Sequence, residues 1–268
     1  MRSSRLFLFT LLMAPQFLTG AELKLETVRA FDGYIRQAET RIGERARDER
    51  NFLWLDDSPE RLTKARAGEV VVGNPGERNM TAVKGGLIHD WIGGTFVPGA
   101  SLAQAAALVQ DYDNHERFYD PEVAESRLLR RDGNDFHIYY RLLKKKVITV
   151  VLSTEHEVRY FPVDETRMHS RSHTTRISEV KNAGTPDESE LADGRGGGYL
   201  WRLYSYWRFV ERDGGVYVEL RAISLTRGIP TGLGWLVKPV IRDMPHISIT
   251  HTLSSTRDAL VKREKAAD

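Results

Sequence analysis

Two alternating runs joined by Asp213-Gly214 constrain this chain most. The first is Tyr199-Leu-Trp-Arg-Leu-Tyr-Ser-Tyr-Trp-Arg-Phe-Val-Glu-Arg212; the second is Gly215-Val-Tyr-Val-Glu-Leu-Arg-Ala-Ile-Ser-Leu-Thr226. Asp-Gly between such runs predicts a two-residue hairpin turn. The turn sets Arg208 opposite Glu219 and Tyr206 opposite Arg221. A slip of one residue would place Arg208 against Leu220 and turn every side chain to the wrong face. One face then carries Arg202, Tyr204, Tyr206, Arg208, Tyr217, Glu219 and Arg221. The other carries Trp201, Leu203, Ser205, Trp207, Phe209, Val218, Leu220, Ala222 and Ser224. This second face is apolar, with large rings at one end and small residues in mid-strand. Such a sheet cannot easily close a core under a helix, so it leaves room for a guest molecule.

The chain opens Met1-Arg-Ser-Ser-Arg5, then Leu6-Phe-Leu-Phe-Thr-Leu-Leu-Met13, with Gly20 and Ala21 behind. A basic start, a short apolar core and small residues near position 20 predict a secretory signal peptide over residues 1–20. The apolar run is shorter than the roughly 20 residues needed to span a bilayer. Cleavage after Gly20 or Ala21 takes away Arg2 and Arg5 and no acid, so the formal charge of +2 falls to zero. A near-neutral mature chain argues against a partner held by phosphate neutralisation, and so against nucleic acid. The chain has no Cys, which excludes disulfides and thiolate chemistry.

In residues 22–48, Leu25, Val28, Phe31, Ile35, Ala38 and Ile42 step by three or four and predict a helix with one apolar stripe. That stripe packs on the domain's own surface or docks a partner. A short helix over 59–66, a strand over 69–72 and a turn at 74–78 follow. Residues 87–97 read as a strand with a bulge or bend at Gly93-Gly94. Ser101 caps a helix over 102–110, and a second short helix covers 113–118. Strands are expected at about 123–131, 134–143, 148–161, 166–180, 199–212 and 215–226. The Gly- and acid-rich stretch 182–198 reads as a mobile loop. Pro239 and Pro245 predict two tail helices, one over 232–241 and a longer one from Pro245. In the second, Ile249, Leu253, Thr256 and Leu260 share a face, and the end from Lys262 frays.

The polar clusters give few chemical leads. Arg167, His169, Arg171 and His173 alternate along one face, opposite Glu155 and Glu157. They read as a solvated charge ladder outside the sheet, with no third or fourth ligand placed to complete a metal site. His156, Val158, Tyr160, Met168, Ser170, Ser172 and Thr174 then face inward, as do Phe136, Ile138, Tyr140 and Leu142. His156 is the best-placed titratable group for ligand contact. His89 and Asp90 are adjacent strand residues, so they point apart and form no dyad. Asp111, Asp113 and Glu116 read as caps and a solvated turn. Ser205 and Ser224 have no base in view. Lys144–Lys146 reads as a bend, and Asn79-Met-Thr81 fits the N-glycosylation pattern.

From residue 86 the order is strand, two short helices, six antiparallel strands and a long helix. That order resembles the START-like (SRPBCC, helix-grip) superfamily over residues 86–264. Val97-Pro-Gly-Ala-Ser101 leading into Asp111-Tyr112 and Phe118-Tyr119 is similar to the family's first helical segment. Gly228-Ile-Pro-Thr-Gly-Leu-Gly-Trp-Leu-Val237 is similar to its entry into the last helices. The resemblance implies an α+β fold: a curved antiparallel sheet of about seven strands wrapped on a C-terminal helix, with residues 21–84 as a helical extension and 85–264 as the START-like domain. It also implies an apolar cavity holding a lipid, quinone or similar molecule. No catalytic motif of the family transfers residue by residue. The reading is therefore an exported binding or transport module with no cofactor and no obligate protein partner, and with transient membrane contact. Trp201, Leu203, Trp207, Phe209 and Leu220 supply wall; Ser205, Ala222 and Ser224 supply room; Tyr140, His156, Tyr160 and Met168 complete the lining. A cyclase, dehydratase or hydrolase using His156 or Tyr160 in the same pocket is one alternative. A filled structural or interaction domain is the other.

Overall fold

A computed structural model describes residues 20–76, 78–145, 149–228 and 234–265, with side chains of the last segment described over 244–262. The signal-peptide reading of residues 1–19, Lys146 and residues 229–233 of the expected tail entry lie outside the described residues.

The hairpin has the expected register. Strand β11 (Arg202–Arg212) pairs with β12 (Gly215–Arg227), setting Arg208 opposite Glu219 and Tyr206 opposite Arg221. Asp213 and Gly214 both take positive φ, 59° and 75°, as a tight turn following the strand twist requires. Around this hairpin runs a ten-stranded antiparallel sheet. Its main path begins with β2 (Val71–Gly73), β4 (Gly86–Pro98), β12 and β11. It continues through β8 (Arg167–Lys181), β7 (Thr149–Pro162), β6 (Asp135–Lys145) and β5 (Val123–Asp132). A strand absent from the sequence reading, β3 (Met80–Val83), pairs with β4 and carries two residues of the Asn79-Met-Thr81 motif.

The inner face is roofed by α3 (Leu102–Val109), by a 3-10 turn at Tyr112–Asn114 with α4 (His115–Phe118), and by α5 (Gly234–Lys265). Ser101 caps α3 as expected, accepting from the Gln104 amide while Gln104 returns a bond to the Ser101 amide. Ile249, Leu253, Thr256 and Leu260 are all buried. The two expected tail helices are one: α5 runs through Pro239 and Pro245 for 32 residues. Each proline removes one backbone bond and crowds the preceding turn. Beyond Pro245 the helix packs Ile249, Leu253 and Leu260 into the core. The helix also reaches Lys265, beyond the point at which fraying was expected.

Gly93-Gly94 makes no bulge in the pairing of β4 with β12, which runs without a register shift. The two glycines admit close neighbours instead. A Cβ on Gly93 would lie 2.9 Å from Ile249 Cγ2 and Leu253 Cδ1 of α5, and one on Gly94 would lie 2.8 Å from Leu55 Cδ1 on the other face.

The outer face is covered as well. Helix α1 (Leu25–Ala46) buries Thr27, Phe31, Ile35 and Ala38 on it, so the apolar stripe is occupied by the chain's own sheet. Leu25, expected in that stripe, is 64% exposed, and Thr27 turns inward to donate to the Lys84 carbonyl at 2.7 Å. Residues 52–55 and α2 (Pro59–Arg66) cover Ile92, Phe96, Val210 and Tyr217. The expected mobile loop 182–198 is fastened down. Its β9 (Ser189–Glu190) pairs with β8, and its β10 (Arg195–Gly196) pairs with β1 (Ala21–Glu22). The Glu179 carboxylate accepts from the amides of Gly197, Gly198 and Tyr199 at 2.6, 2.8 and 3.2 Å.

Candidate functional site

The register lays the inner face out in rows. In one row Trp91, Ala222, Ser205, Ser172, Val158 and Phe136 stand side by side across six strands. The row toward one strand end holds His89, Ser224, Leu203, Thr174, His156 and Ile138, the step at His156–Thr174 following a bulge. Toward the other end stand Gly93, Leu220, Trp207, Ser170 and Tyr160, and then Thr95, Val218, Phe209 and Met168. No Asp, Glu, Lys or Arg occurs in these rows. The middle, on β12, β11 and β8, is made of small residues, with the Trp207 ring stacked on Phe209 beside it at 5.8 Å and 6°.

The structure therefore brings together eleven of the twelve residues read as lining. Phe209, Leu220, Tyr160 and Met168 lie in the main core, with Trp207, Ala222 and Tyr140 packed against it. Trp201 is the correction. It precedes the first residue of β11, where alternation no longer governs direction, and clusters with Phe31, Ile35, Tyr206, Ile223 and Leu225 under α1. It belongs to the outer packing and supplies no wall to the interior.

Several inward side chains near the sheet centre keep accessible surface. Leu203, Ser205, Trp207, Ala222 and Ser224 are half-buried; of their outward neighbours, Arg202, Tyr204 and Arg221 are half-buried and Tyr206, Arg208, Ile223 and Leu225 are buried. Tyr140 is also half-buried, although burial pushes its phenol well above its ordinary value. Polar atoms on this face lack partners. Trp91 Nε1, Thr95 Oγ1, Ser170 Oγ and His89 Nδ1 are buried and form no hydrogen bond to a described residue. Buried polar groups are normally paired; others that form no hydrogen bond to a described residue lie away from this face, at Arg61, His137, Trp201 and Arg212.

A ring of hydroxyls and imidazoles borders the small-residue trough. The Tyr112 and Tyr160 hydroxyls lie 2.7 Å apart, and Tyr160 donates to the Val109 carbonyl at 3.0 Å. His115 Nδ1 is 2.6 Å from the Tyr140 hydroxyl, His156 Nε2 is 2.9 Å from Thr154 Oγ1, and the Tyr119 hydroxyl is 3.1 Å from Thr256 Oγ1. Burial holds His156 down to about 3 and His115 to about 4. The phenols of Tyr112 and Tyr160 are pushed well above 10 by the same desolvation. These shifts favour the neutral forms of His115, His156, Tyr112 and Tyr160 at neutral pH. The tyrosines, histidines and serines of the lining offer hydrogen bonds.

The sequence reading left out Tyr112, His115 and Tyr119 on the roof, and Trp91 and Thr95 on β4. Their signals were present. Tyr112, His115 and Tyr119 are spaced by three and four, which puts them on one face of a helical turn. Trp91, Gly93 and Thr95 follow the two-residue period of a strand.

The other polar candidates resolve as follows. His89 and Asp90 do face opposite sides. Asp90 pairs with Arg221 at 2.6 and 2.8 Å and accepts from the Tyr34 hydroxyl at 2.7 Å beneath α1. Ser224 stands opposite His89 in the register, but His89 Nε2 meets Thr226 Oγ1 at 3.1 Å, and burial lowers its imidazole to about 4, a poor base for activating a serine. The expected solvated ladder is instead half-covered. Arg171 pairs with Glu39 of α1, His173 stacks on Tyr204 at 5.4 Å, and His169 stacks on Phe161 at 4.8 Å. Glu157 does stand opposite His173, while Glu155 stands opposite Arg176. Asp113 accepts from the Leu128 amide and Glu116 from Ser126, in keeping with structural roles. Lys144 pairs with Glu122 and donates to Ser248 of α5 at 2.9 Å, so it ties the sheet edge to the helix. Among the described residues no three His, Asp or Glu gather to hold a metal ion. No described helix is long and apolar enough to cross a membrane.

No family model matches the sequence, and no curated protein matches it. Solved structures do. A Thermus thermophilus protein is similar at 14% identity and a TM-score of 0.47, over 65% of this chain and 98% of that one. A STAR-related lipid transfer protein from Xanthomonas axonopodis is similar at 16% identity and a TM-score of 0.44, over 68% of this chain and 99% of that one. The Zhui aromatase/cyclase from a Streptomyces species is similar at 9% identity and a TM-score of 0.46, over 67% and 98%. The fold, with N-terminal helices, a large antiparallel sheet and a C-terminal helix packed on its inner face, is α+β.

Proposed function

We propose that the chain is an exported module that holds an apolar small molecule, a lipid, quinone or similar compound, between the sheet and α5. The observation carrying this reading is the combination of half-buried small residues in the middle of the inner face and orphaned polar atoms around them. Leu203, Trp207, Phe209 and Leu220 serve as wall, and Ser205, Ala222 and Ser224 as room. Tyr140, His156, Tyr160 and Met168 close the side toward β6 and β7. The driving force is removal of ligand apolar surface from water, about 25 cal/mol per Å² before the costs of ordering. Loading and unloading take place in transient contact with a membrane. The depressed imidazoles and raised phenols favour binding over acid–base catalysis in the same pocket.

Export rests on the basic and apolar start of the chain. Cleavage after Gly20 keeps Ala21, which pairs with Gly196. The N-terminal residue of protein recovered from its host's exported fraction tests this: Ala21 or Glu22 supports export, and an intact Met1 or Arg2 opposes it. Native mass spectrometry of the same material should show a lipid-sized adduct. Ser205→Trp should abolish that adduct with modest loss of stability; a full adduct on the variant would place the ligand elsewhere.

A further inference from the structure

We infer that the ligand is uncharged where it lies under α5 and carries oxygen atoms that the trough serines bind. This inference rests on the proposed binding function and narrows its ligand class. A pure hydrocarbon guest would need a trough without donors. Here Ser170, Ser172 and Ser205 lie on adjoining strands, Ser172 directly opposite Ser205 and Ser170 directly opposite Trp207. Ser170 is 1% exposed and its hydroxyl has no described partner. At the β4 edge of the same rows, the Trp91 indole N–H and the Thr95 hydroxyl are buried without partners as well. An apo interior that spends buried donors on nothing is costly, about 1–3 kcal/mol for each group. A guest offering carbonyl or hydroxyl oxygens removes that cost; an acyl chain or plain aromatic ring does not.

The same rows of the sheet disfavour a charged guest. They hold no cation to meet a carboxylate or phosphate and no carboxylate to meet an amine, and a buried ion without a counter-ion is strongly disfavoured. At the sheet edge, Lys144 is already paired with Glu122 and bonded to Ser248.

The test uses the full mature chain and three probes of matched ring size in equilibrium dialysis at pH 7.5: naphthalene, 2-acetylnaphthalene and 2-naphthoate. The expected order is acetylnaphthalene binding at least tenfold tighter than naphthoate. In a Ser170→Ala/Ser205→Ala variant the preference for acetylnaphthalene over naphthalene should fall about fivefold, the size of one net hydrogen bond. Because Ser170 has no described partner, its loss removes no internal bond. Should the double variant fold poorly, Ser172→Ala is expected to lower the same preference. Naphthoate binding as tightly as the ketone, or an unchanged preference in these variants, overturns this inference and leaves the binding function standing. A folded chain that takes up neither naphthalene nor acetylnaphthalene overturns the binding function itself.

Discussion

Gly93→Ala measures how closely the C-terminal helix grips the sheet. Gly93 sits on β4 with ordinary backbone, so alanine brings no conformational strain; it brings one methyl group. That methyl would lie 2.9 Å from Ile249 Cγ2, 2.9 Å from Leu253 Cδ1 and 3.0 Å from Val72 Cγ2. Carbon atoms pack best at about 3.5–4.0 Å, so the neighbours must withdraw by roughly 0.5–1 Å. Val72 is half-buried and gives way easily, whereas Ile249 and Leu253 are 2% and 0% exposed and can move only with α5. A gap of that size forfeits a quarter to a half of each lost dispersion contact. Overpacking of this kind costs about 1–3 kcal/mol. For a chain of this size each kcal/mol shifts Tm by about 2–4 °C, so the expected drop is about 2–12 °C. Thermal and urea unfolding of the purified protein provide the assay. The reasoning fails if Gly93→Ala unfolds at or above the wild-type midpoint, because α5 would then not be seated on this glycine.

Further outcomes follow from the buried polar groups. His89 and His115 are held down to about 4 and His156 to about 3, below the value near 6.5 that they regain on unfolding. The unfolded chain thus binds protons first, and the stability these neutral imidazoles confer is full above about pH 6.5 and lost as the pH falls toward 4 and 3. The slope reaches up to about 1.4 kcal/mol per pH unit for each histidine. His169 is held down to about 4 as well, so His156→Gln should flatten the slope by roughly a quarter; urea midpoints that stay constant from about pH 6.5 to 5 would contradict this. On the outer face, Glu219 accepts from the Trp54 and Leu55 amides at 2.6 and 3.3 Å and faces Arg208 at 3.4 Å. Glu219→Gln leaves Arg208 buried without its counter-ion and should cost about 3–5 kcal/mol, with Arg208→Met in the same chain recovering much of it. Denaturant titration checks both variants, and a loss under about 1 kcal/mol for Glu219→Gln would show that Arg208 is satisfied elsewhere.

The strand periods and turn chemistry of the sequence determined the hairpin register, the order of the long strands and the inward set from Leu203 to Met168. Each of these is local: an Asp-Gly turn sets the pairing, and a period of two sets the face. The Ile249-Leu253-Thr256-Leu260 stripe and the Ser101 cap were legible for the same reason. What tertiary structure decided depends on contacts between segments distant in sequence. Trp201 went to the outer face because α1 offers it Phe31 and Ile35 there. Arg208, Glu219, Arg221 and Asp90 became a buried charge layer only because residues 25–66 fold back over them. The stretch 182–198 looks like linker by composition, yet Glu179 and Ala21–Glu22 pin it. One helix runs through both prolines, and beyond them Ile249, Leu253 and Leu260 pack into the core. The interior was only half readable: alternation put serines under the helix, but which of their hydroxyls found partners and which were left without one was decided by the packing of roof against sheet.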